Sequence, residues 1–229
     1  MTANNKINNP MKKVAIVDDH TMMREGLEQL VNSQPGFECC WTAGDLAQAI
    51  HSLEAERPDL LLADMTLPGR NGLELIKDAL SIAPGLHILV VSMHDETLYA
   101  QRVLKAGGKG YIMKDASRAS LLDAIGQVAD GGIWVSPSIS SKIIRAFSGK
   151  PANEAVDGIH RLSDREFEVF HLIGEGRSKS EIADSLHISP KTVDVHKSNI
   201  REKLGLKDAA SVLRYAIRWM ESQSSTPLA

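Results

Sequence analysis

Three aspartates, a serine and a lysine stand where short apolar runs give way to polar residues. V-A-I-V runs into Asp18-Asp19, L-L-L-A into Asp64, I-L-V-V into Ser92 and G-Y-I-M into Lys114. Carboxylates gathered in one place repel one another and resist ionisation. A divalent cation resolves that conflict. Mg2+ takes oxygen ligands and keeps several waters, so a few carboxylates and a backbone carbonyl suffice to hold it. A lysine and a hydroxyl around one of those carboxylates suit transfer of a phosphoryl group onto it. Each residue alone has an ordinary reading: Asp18-Asp19 as a helix cap and turn, Asp64 as the start of a turn before Pro68-Gly69, Lys114 as a surface lysine. The ordered set favours the chemical reading.

The surrounding pattern supplies the elements that must bring these residues together. Apolar runs at Val14–Val17, Phe37–Thr42, Leu60–Ala63, Ile88–Val91 and Gly110–Met113 alternate with amphipathic stretches near Thr21–Asn32, Asp45–Glu56, Asn71–Ala83, Glu96–Ala106 and Ser117–Gly131. Runs that are apolar on both faces are what parallel strands covered on both sides by helices require. Five βα repeats therefore predict an α/β fold, a doubly wound, five-stranded parallel sheet of flavodoxin-like type, over residues 12–131. Ligands of such sheets collect at the carboxyl ends of the strands. If the first strand is central and the third its neighbour, three carboxylates converge on one edge.

The first half resembles the receiver domain of two-component response regulators over about Lys13 to Gly131. The resemblance rests on V-D-D-H at Val17, A-D-M-T-L-P-G-R-N-G from Ala63, V-S-M at Val91 and G-Y-I-M-K-D from Gly110. It implies that Asp64 is the phosphoacceptor and that Asp18, Asp19, Asp64 and the carbonyl of Thr66 hold Mg2+. It also implies that Ser92 contacts the phosphoryl group, that Lys114 pairs with it and that Tyr111 is the switch aromatic. The donor is expected to be a sensor histidine kinase. The order Met65-Thr66-Leu67-Pro68 departs from the family, which usually places a Met just before the Pro. The glycines around Lys109 do not have the spacing of a phosphate-binding loop, and a strand follows them.

After a Gly-, Pro-, Ser- and Asn-containing linker, residues 132–159, with one short helical candidate at Ser138–Phe147, the signals are helical only. Ser163-Asp-Arg-Glu166 and Ser178-Lys-Ser-Glu181 are capping boxes, and Ser189-Pro190 is an N-cap followed by Pro at the first helical position. Helices are expected at Asp164–Gly174, Lys179–Leu186, Pro190–Leu204 and Asp208–Ser222, an all-α four-helix unit over residues 160–222. The second and third are joined by His187-Ile188-Ser189, a turn short enough for a helix-turn-helix. Arg161 to Leu206 resembles the helix-turn-helix of NarL/LuxR-type regulators, which places Pro190–Leu204 in the major groove of double-stranded DNA. That resemblance puts Asp194, Val195 and Ser198 near bases and Lys191, Thr192, Lys197 and Arg201 nearer phosphates. Asp194 departs from members with a basic residue there; it either accepts from cytosine N4 or stabilises the helix end.

Charge and composition bound the alternatives. Met1–Ser141 holds twelve Lys and Arg against seventeen Asp and Glu, and Asp157–Ala229 holds eleven of each. The second half is thus not a generally basic nucleic-acid binder, and its positive charge must be local. No apolar run is long enough to span a bilayer, so no membrane association is expected. Met1–Pro10 is polar and reads as a frayed tail without an export signal, which makes the cytoplasm the expected location. The adjacent Cys39 and Cys40 read as structural thiols, not as a disulfide or a zinc site. Three rivals to a phosphorylation-controlled transcription regulator remain in view: a Mg2+-dependent phosphatase with Asp64 as nucleophile, a ligand-sensing LuxR-type regulator, and a helical module that binds protein. The phosphatase would lack a second carboxylate two residues after Asp64, where Thr66 stands. Homodimerisation on phosphorylation is expected, with Tyr215 and Trp219 of the last helix as candidate interface residues.

Overall fold

The structure is a computed structural model that describes residues 11–67, 70–147 and 158–224. The tail expected at Met1–Pro10 lies outside the described residues, as does the part of the expected linker at 148–157. The chain divides into two compact units. One comprises the chain up to Ser136 apart from the loop 68–71, and the other takes in the chain from Pro137 onward.

Up to Ser136 the strands are β1 (Lys12–Val17), β2 (Phe37–Ala43), β3 (Leu60–Ala63), the two-residue segments β4 (Thr66–Leu67) and β5 (Arg70–Asn71), β6 (His87–Ser92) and β7 (Gly110–Met113). Between and after them run α1 (Thr21–Asn32), α2 (Leu46–Ala55), α3 (Gly72–Ile82), α4 (Glu96–Lys105) and α5 (Arg118–Ala129). The main sheet has the order β2-β1-β3-β6-β7, and each neighbouring pair is parallel. This is the doubly wound, five-stranded α/β fold read from the sequence. Its cause is visible in β3, where all four residues of L-L-L-A are buried. Helices cover both faces, so no residue of that strand faces water. Ile16, Leu62, Leu89 and Val91 pack with Leu27 and Val31 of α1 and Ile125 and Val128 of α5. Each large apolar side chain so buried contributes about 1.5–3 kcal/mol relative to exposure.

β1 and β2 lose register between Val14 and Ala15: Val14 faces Cys39, Ala15 faces Trp41, and Cys40 is the extra residue of a bulge. Both cysteines are free thiols. Burial pushes the Cys39 thiol up to about 12, so it stays protonated and inert at neutral pH.

The second unit contains α6 (Pro137–Phe147), a 3-10 turn (Ile159–Arg161), α7 (Asp164–Gly174), α8 (Lys179–Ser185), α9 (Pro190–Lys203) and α10 (Ala209–Ser224). Both capping boxes form: Ser163 with Glu166 opens α7 and Ser178 with Glu181 opens α8. The core gathers Phe167, Phe170, Ile182, Val193, Ile200, Val212 and Ala216. Trp219 meets Phe167 and Phe170 edge-on, with ring centroids 5.6 and 5.7 Å away. Trp219 is therefore a core residue, not the interface residue the sequence left open. Among the described residues of α10, the large apolar side chains that are exposed are Leu213 and Ile217.

Candidate phosphoacceptor pocket and nucleic-acid interface

Because β1, β3, β6 and β7 are parallel, their carboxyl ends lie along one edge of the sheet. β1 delivers Asp18, β3 delivers Asp64, β6 ends in Ser92 and β7 runs into Lys114. Asp18, Asp64 and Ser92 are 1%, 3% and 0% exposed, so their polar atoms must find partners inside the protein. Lys114 Nζ provides one, 2.7 Å from Asp18 Oδ2 and 2.8 Å from Asp64 Oδ2. Burial works against the Lys114 ammonium, but its bonds to two carboxylates outweigh burial and raise its pKa. Burial pushes the Asp64 carboxyl above the usual range, and Lys114 offsets only part of that. The result is a desolvated carboxylate oriented by a fixed cation.

Asp18, Asp19, His20 and Asp64 each offer a ligand atom, all within 4.8 Å of one another. Asp19 Oδ1 is buried with no hydrogen-bond partner. His20 Nδ1 lies 2.8 Å from it without the alignment of a hydrogen bond. Clustered carboxylate oxygens with one unsatisfied member fit a hard dication such as Mg2+. His20, which follows the aspartate pair in V-D-D-H, is thus in direct contact with the pocket.

Tyr111 is fully buried, and its hydroxyl donates to the His94 carbonyl at 2.8 Å. The His94 N–H donates to Ser92 Oγ at 3.1 Å, and His94 Nε2 lies 3.0 Å from the exposed Thr66 Oγ1. Ser92, Tyr111 and Thr66 therefore meet through His94, a second loop histidine to which the sequence attached no role. Another contributor that went unread is Gly72. A Cβ there would lie 2.5 Å from the Asp64 carbonyl oxygen and 2.7 Å from Met65 Cα. Only glycine lets α3 begin so close to the loop after Asp64, where the Gly72 N–H donates to the Met65 carbonyl at 2.9 Å. The N-G at the end of the loop motif was the available signal.

In the second unit, α8 and α9 form the helix-turn-helix. The turn depends on His187 in the left-handed region (φ 51°), and the Ile188 N–H closes it on the Ala183 carbonyl at 2.9 Å. Ser189 caps α9 by accepting from the Thr192 N–H at 3.1 Å, and the Ser189 and Thr192 hydroxyls are 2.7 Å apart. Val193 and Ile200 are buried, while Lys191, Asp194, Val195, Ser198 and Arg201 are exposed and Thr192 and Lys197 half-buried. Val195, 52% exposed, is an apolar side chain held in water on the N-terminal half of the helix. Asp194 pairs with Lys179 of α8 at 3.0 Å. Lys203 pairs with the buried Glu166 at 2.7 Å, so its charge is engaged within the domain.

Pocket and helix pair together define a class: an acidic receiver joined to a helix-turn-helix. Residues 14–126 match the family described as response regulator receiver domain, and residues 160–216 match the one described as bacterial regulatory proteins, luxR family. The oxygen regulatory protein NreC of Staphylococcus carnosus is 34% identical over 210 residues, covering 90% of this chain and 97% of that protein. The transcriptional regulatory protein DegU of Brevibacillus brevis is 31% identical over 228 residues, covering 94% and 97%. Among solved structures, RcsB of Salmonella enterica serovar Typhimurium bound to promoter P1flhDC with phosphomimetic BeF3- is similar. Its TM-score is 0.60 at 26% identity, over 90% of this chain and 98% of that one. The chain belongs to the two-component response regulators with a LuxR-type DNA-binding domain. It is a transcriptional regulator and not an enzyme that turns over an outside substrate. No helix among the described residues is long and apolar enough to cross a membrane.

Proposed function

We propose that this chain, in the cytoplasm, accepts a phosphoryl group on Asp64 from a sensor histidine kinase and answers by binding double-stranded DNA as a homodimer. The receiver would span residues 12–131 and the DNA-binding domain residues 160–222. The observation that carries the reading is the buried Asp64 carboxylate held by Lys114, beside an Asp18-Asp19 pair with an unsatisfied oxygen. Asp18, Asp19, Asp64 and the Thr66 carbonyl would hold Mg2+, which when bound neutralises charge developing on the transferred phosphoryl oxygens. An Asp64 oxygen forms the new bond to phosphorus. The phosphorus–nitrogen bond to the donor histidine breaks, and its electron pair stays on the imidazole. Lys114 would keep its charge beside the new phosphoryl group, and Ser92 would donate its hydroxyl to it.

On the DNA side, α9 carries the contacts. Val195 and Ser198 face base edges, and Lys191, Lys197 and Arg201 serve phosphates. Thr192 and Asp194 are tied to Ser189 and Lys179, which supports a role in setting the pose of the helix over base readout. RcsB, seen on promoter DNA with a phosphomimetic, is a relative in which the same two-domain plan meets DNA. Dimerisation through exposed Leu213 and Ile217 would give two linked helix pairs, whose second DNA contact becomes intramolecular. The direct test of the acceptor is intact-mass measurement after incubation with acetyl phosphate and Mg2+. One added phosphoryl group is expected on the natural chain and none on Asp64→Asn; equal labelling of both would overturn the assignment.

A further inference from the structure

The segment between α5 and α6 is fastened along the edge of the sheet. β7 is an edge strand, and without a neighbour the outward N–H of Tyr111 would go unpaired. Trp134 fills that place. Its N–H donates to the Lys109 carbonyl at 3.0 Å, and its carbonyl accepts from the Tyr111 N–H at 2.9 Å, a parallel bridge across Gly110. Gly110 permits the approach, since a Cβ there would lie 3.0 Å from the Trp134 carbonyl oxygen. One residue upstream, the Ile133 carbonyl accepts from Gln127 Nε2 at 2.6 Å. Two residues downstream, the Ser136 N–H donates to Glu96 Oε1 of α4 at 2.6 Å.

Two of these anchors, the Trp134 bridge and the Glu96–Ser136 bond, lie at or next to the proposed switch residues. Tyr111 is bonded to the strap by its backbone and to His94 by its hydroxyl. Glu96 opens α4 two residues after His94, whose N–H is held by Ser92 Oγ. In this arrangement Lys114 holds the Asp64 carboxylate directly while Ser92 Oγ is occupied by His94. A phosphoryl group on Asp64 that draws the Ser92 hydroxyl toward itself takes it from the His94 N–H. The loop that leads into Glu96 then loses one of its ties.

We propose that Gly132–Ser136 is a restraining strap whose Glu96–Ser136 hydrogen bond is released when Asp64 is phosphorylated, freeing the chain that leads into the DNA-binding unit. This rests on the Asp64 reading above. Glu96 acts through Ser136 and touches neither phosphoryl group nor DNA. Breaking the joint by Glu96→Ala should raise paired-site DNA binding of the unphosphorylated full chain about fivefold, a usual size for coupling between sites. Glu96→Gln, which keeps an acceptor oxygen, should leave it low. In hydrogen exchange, Mg2+ with beryllofluoride should speed the Ser136 amide of the natural chain about tenfold, while Tyr111 and Trp134 stay protected. Fluorine NMR of the same sample reports whether beryllofluoride is bound. If it is bound and Ser136 stays protected, or if Glu96→Ala binds DNA as weakly as the natural chain, the strap is refuted and the Asp64 assignment survives. If no beryllofluoride binds at Asp64, both fall together.

Discussion

At the scale of single residues, the pocket is a problem of buried charge. Asp18 and Asp64 lie side by side in the sheet edge with the Lys114 ammonium within reach of both. The positions of these three were legible because each ends an apolar run. His20 and His94 were not, because a loop histidine carries no periodicity; only the fold shows what it touches. Gly72 is the residue whose role is most easily tested. Its substitution by Ala forces a methyl group against the backbone of Asp64 and Met65, a contact that no rotamer change relieves. Gly72→Ala should destabilise the receiver by about 1–3 kcal/mol, the usual cost of overpacking. It should also slow phosphorylation by acetyl phosphate about tenfold through displacement of Asp64, a small misplacement of the reacting group being costly. Denaturant melts and time-resolved intact mass would check both. Unchanged stability and rate would mean the loop has room to move.

At the scale of elements, the strands and most helices of the first unit follow from hydrophobic pattern alone. What pattern could not give was the bulge at Cys40, which depends on how two strands match, or the Trp134 bridge, a single residue pair in a stretch that reads as linker. The helical unit shows a similar division. Its caps were legible as Ser-x-x-Glu, but the reach of Lys203 across to Glu166 was not, because 37 positions separate them. Although burial opposes it, the Lys203 ion pair and the Ser163 bonds hold the Glu166 carboxyl below its usual range. A depressed folded-state pKa gives stability that is present above the unfolded value of about 4.3 and is lost as pH falls through the folded value. Glu166→Gln should therefore be less stable than the natural chain at pH 7 by about 1–2 kcal/mol, with the gap closing below about pH 4. Thermal melts across pH 3–7 read this directly; a constant gap would show that Glu166 acts through packing. If α9 meets DNA as proposed, Lys197→Ala should weaken binding to all sequences and lower the salt slope by about 1. Val195→Ala should act mainly on the preferred site. Salt-dependent titrations on specific and random DNA separate the two, and an intact salt slope in Lys197→Ala would remove that lysine from the phosphate contacts.

At the scale of the whole molecule, two units that fold on different principles are joined in one chain. The sheet edge gathers charge for a small anionic group, and the helix pair presents a locally basic face to a long anionic polymer. The overall acidic balance hides this, because the basic residues of α9 are offset by acids elsewhere in the same unit. One correction comes from packing. Trp219 shares the α10 face of Val212 and Ala216, and the core claims it, leaving Leu213 and Ile217 to face outward. Sequence spacing marks two faces of such a helix but does not say which is covered.

The central claim is that phosphorylation of Asp64 controls DNA binding. It is tested most directly by selecting sites from fragmented genomic DNA with the purified full chain. Natural chain and Asp64→Asn would each be measured with and without Mg2+ and beryllofluoride. The natural chain should bind paired half-sites at least about fivefold more tightly when beryllofluoride is present, as coupling of ordinary size requires, and Asp64→Asn should show no gain. Equal binding by the natural chain in both conditions, or an equal gain in Asp64→Asn, would contradict the account.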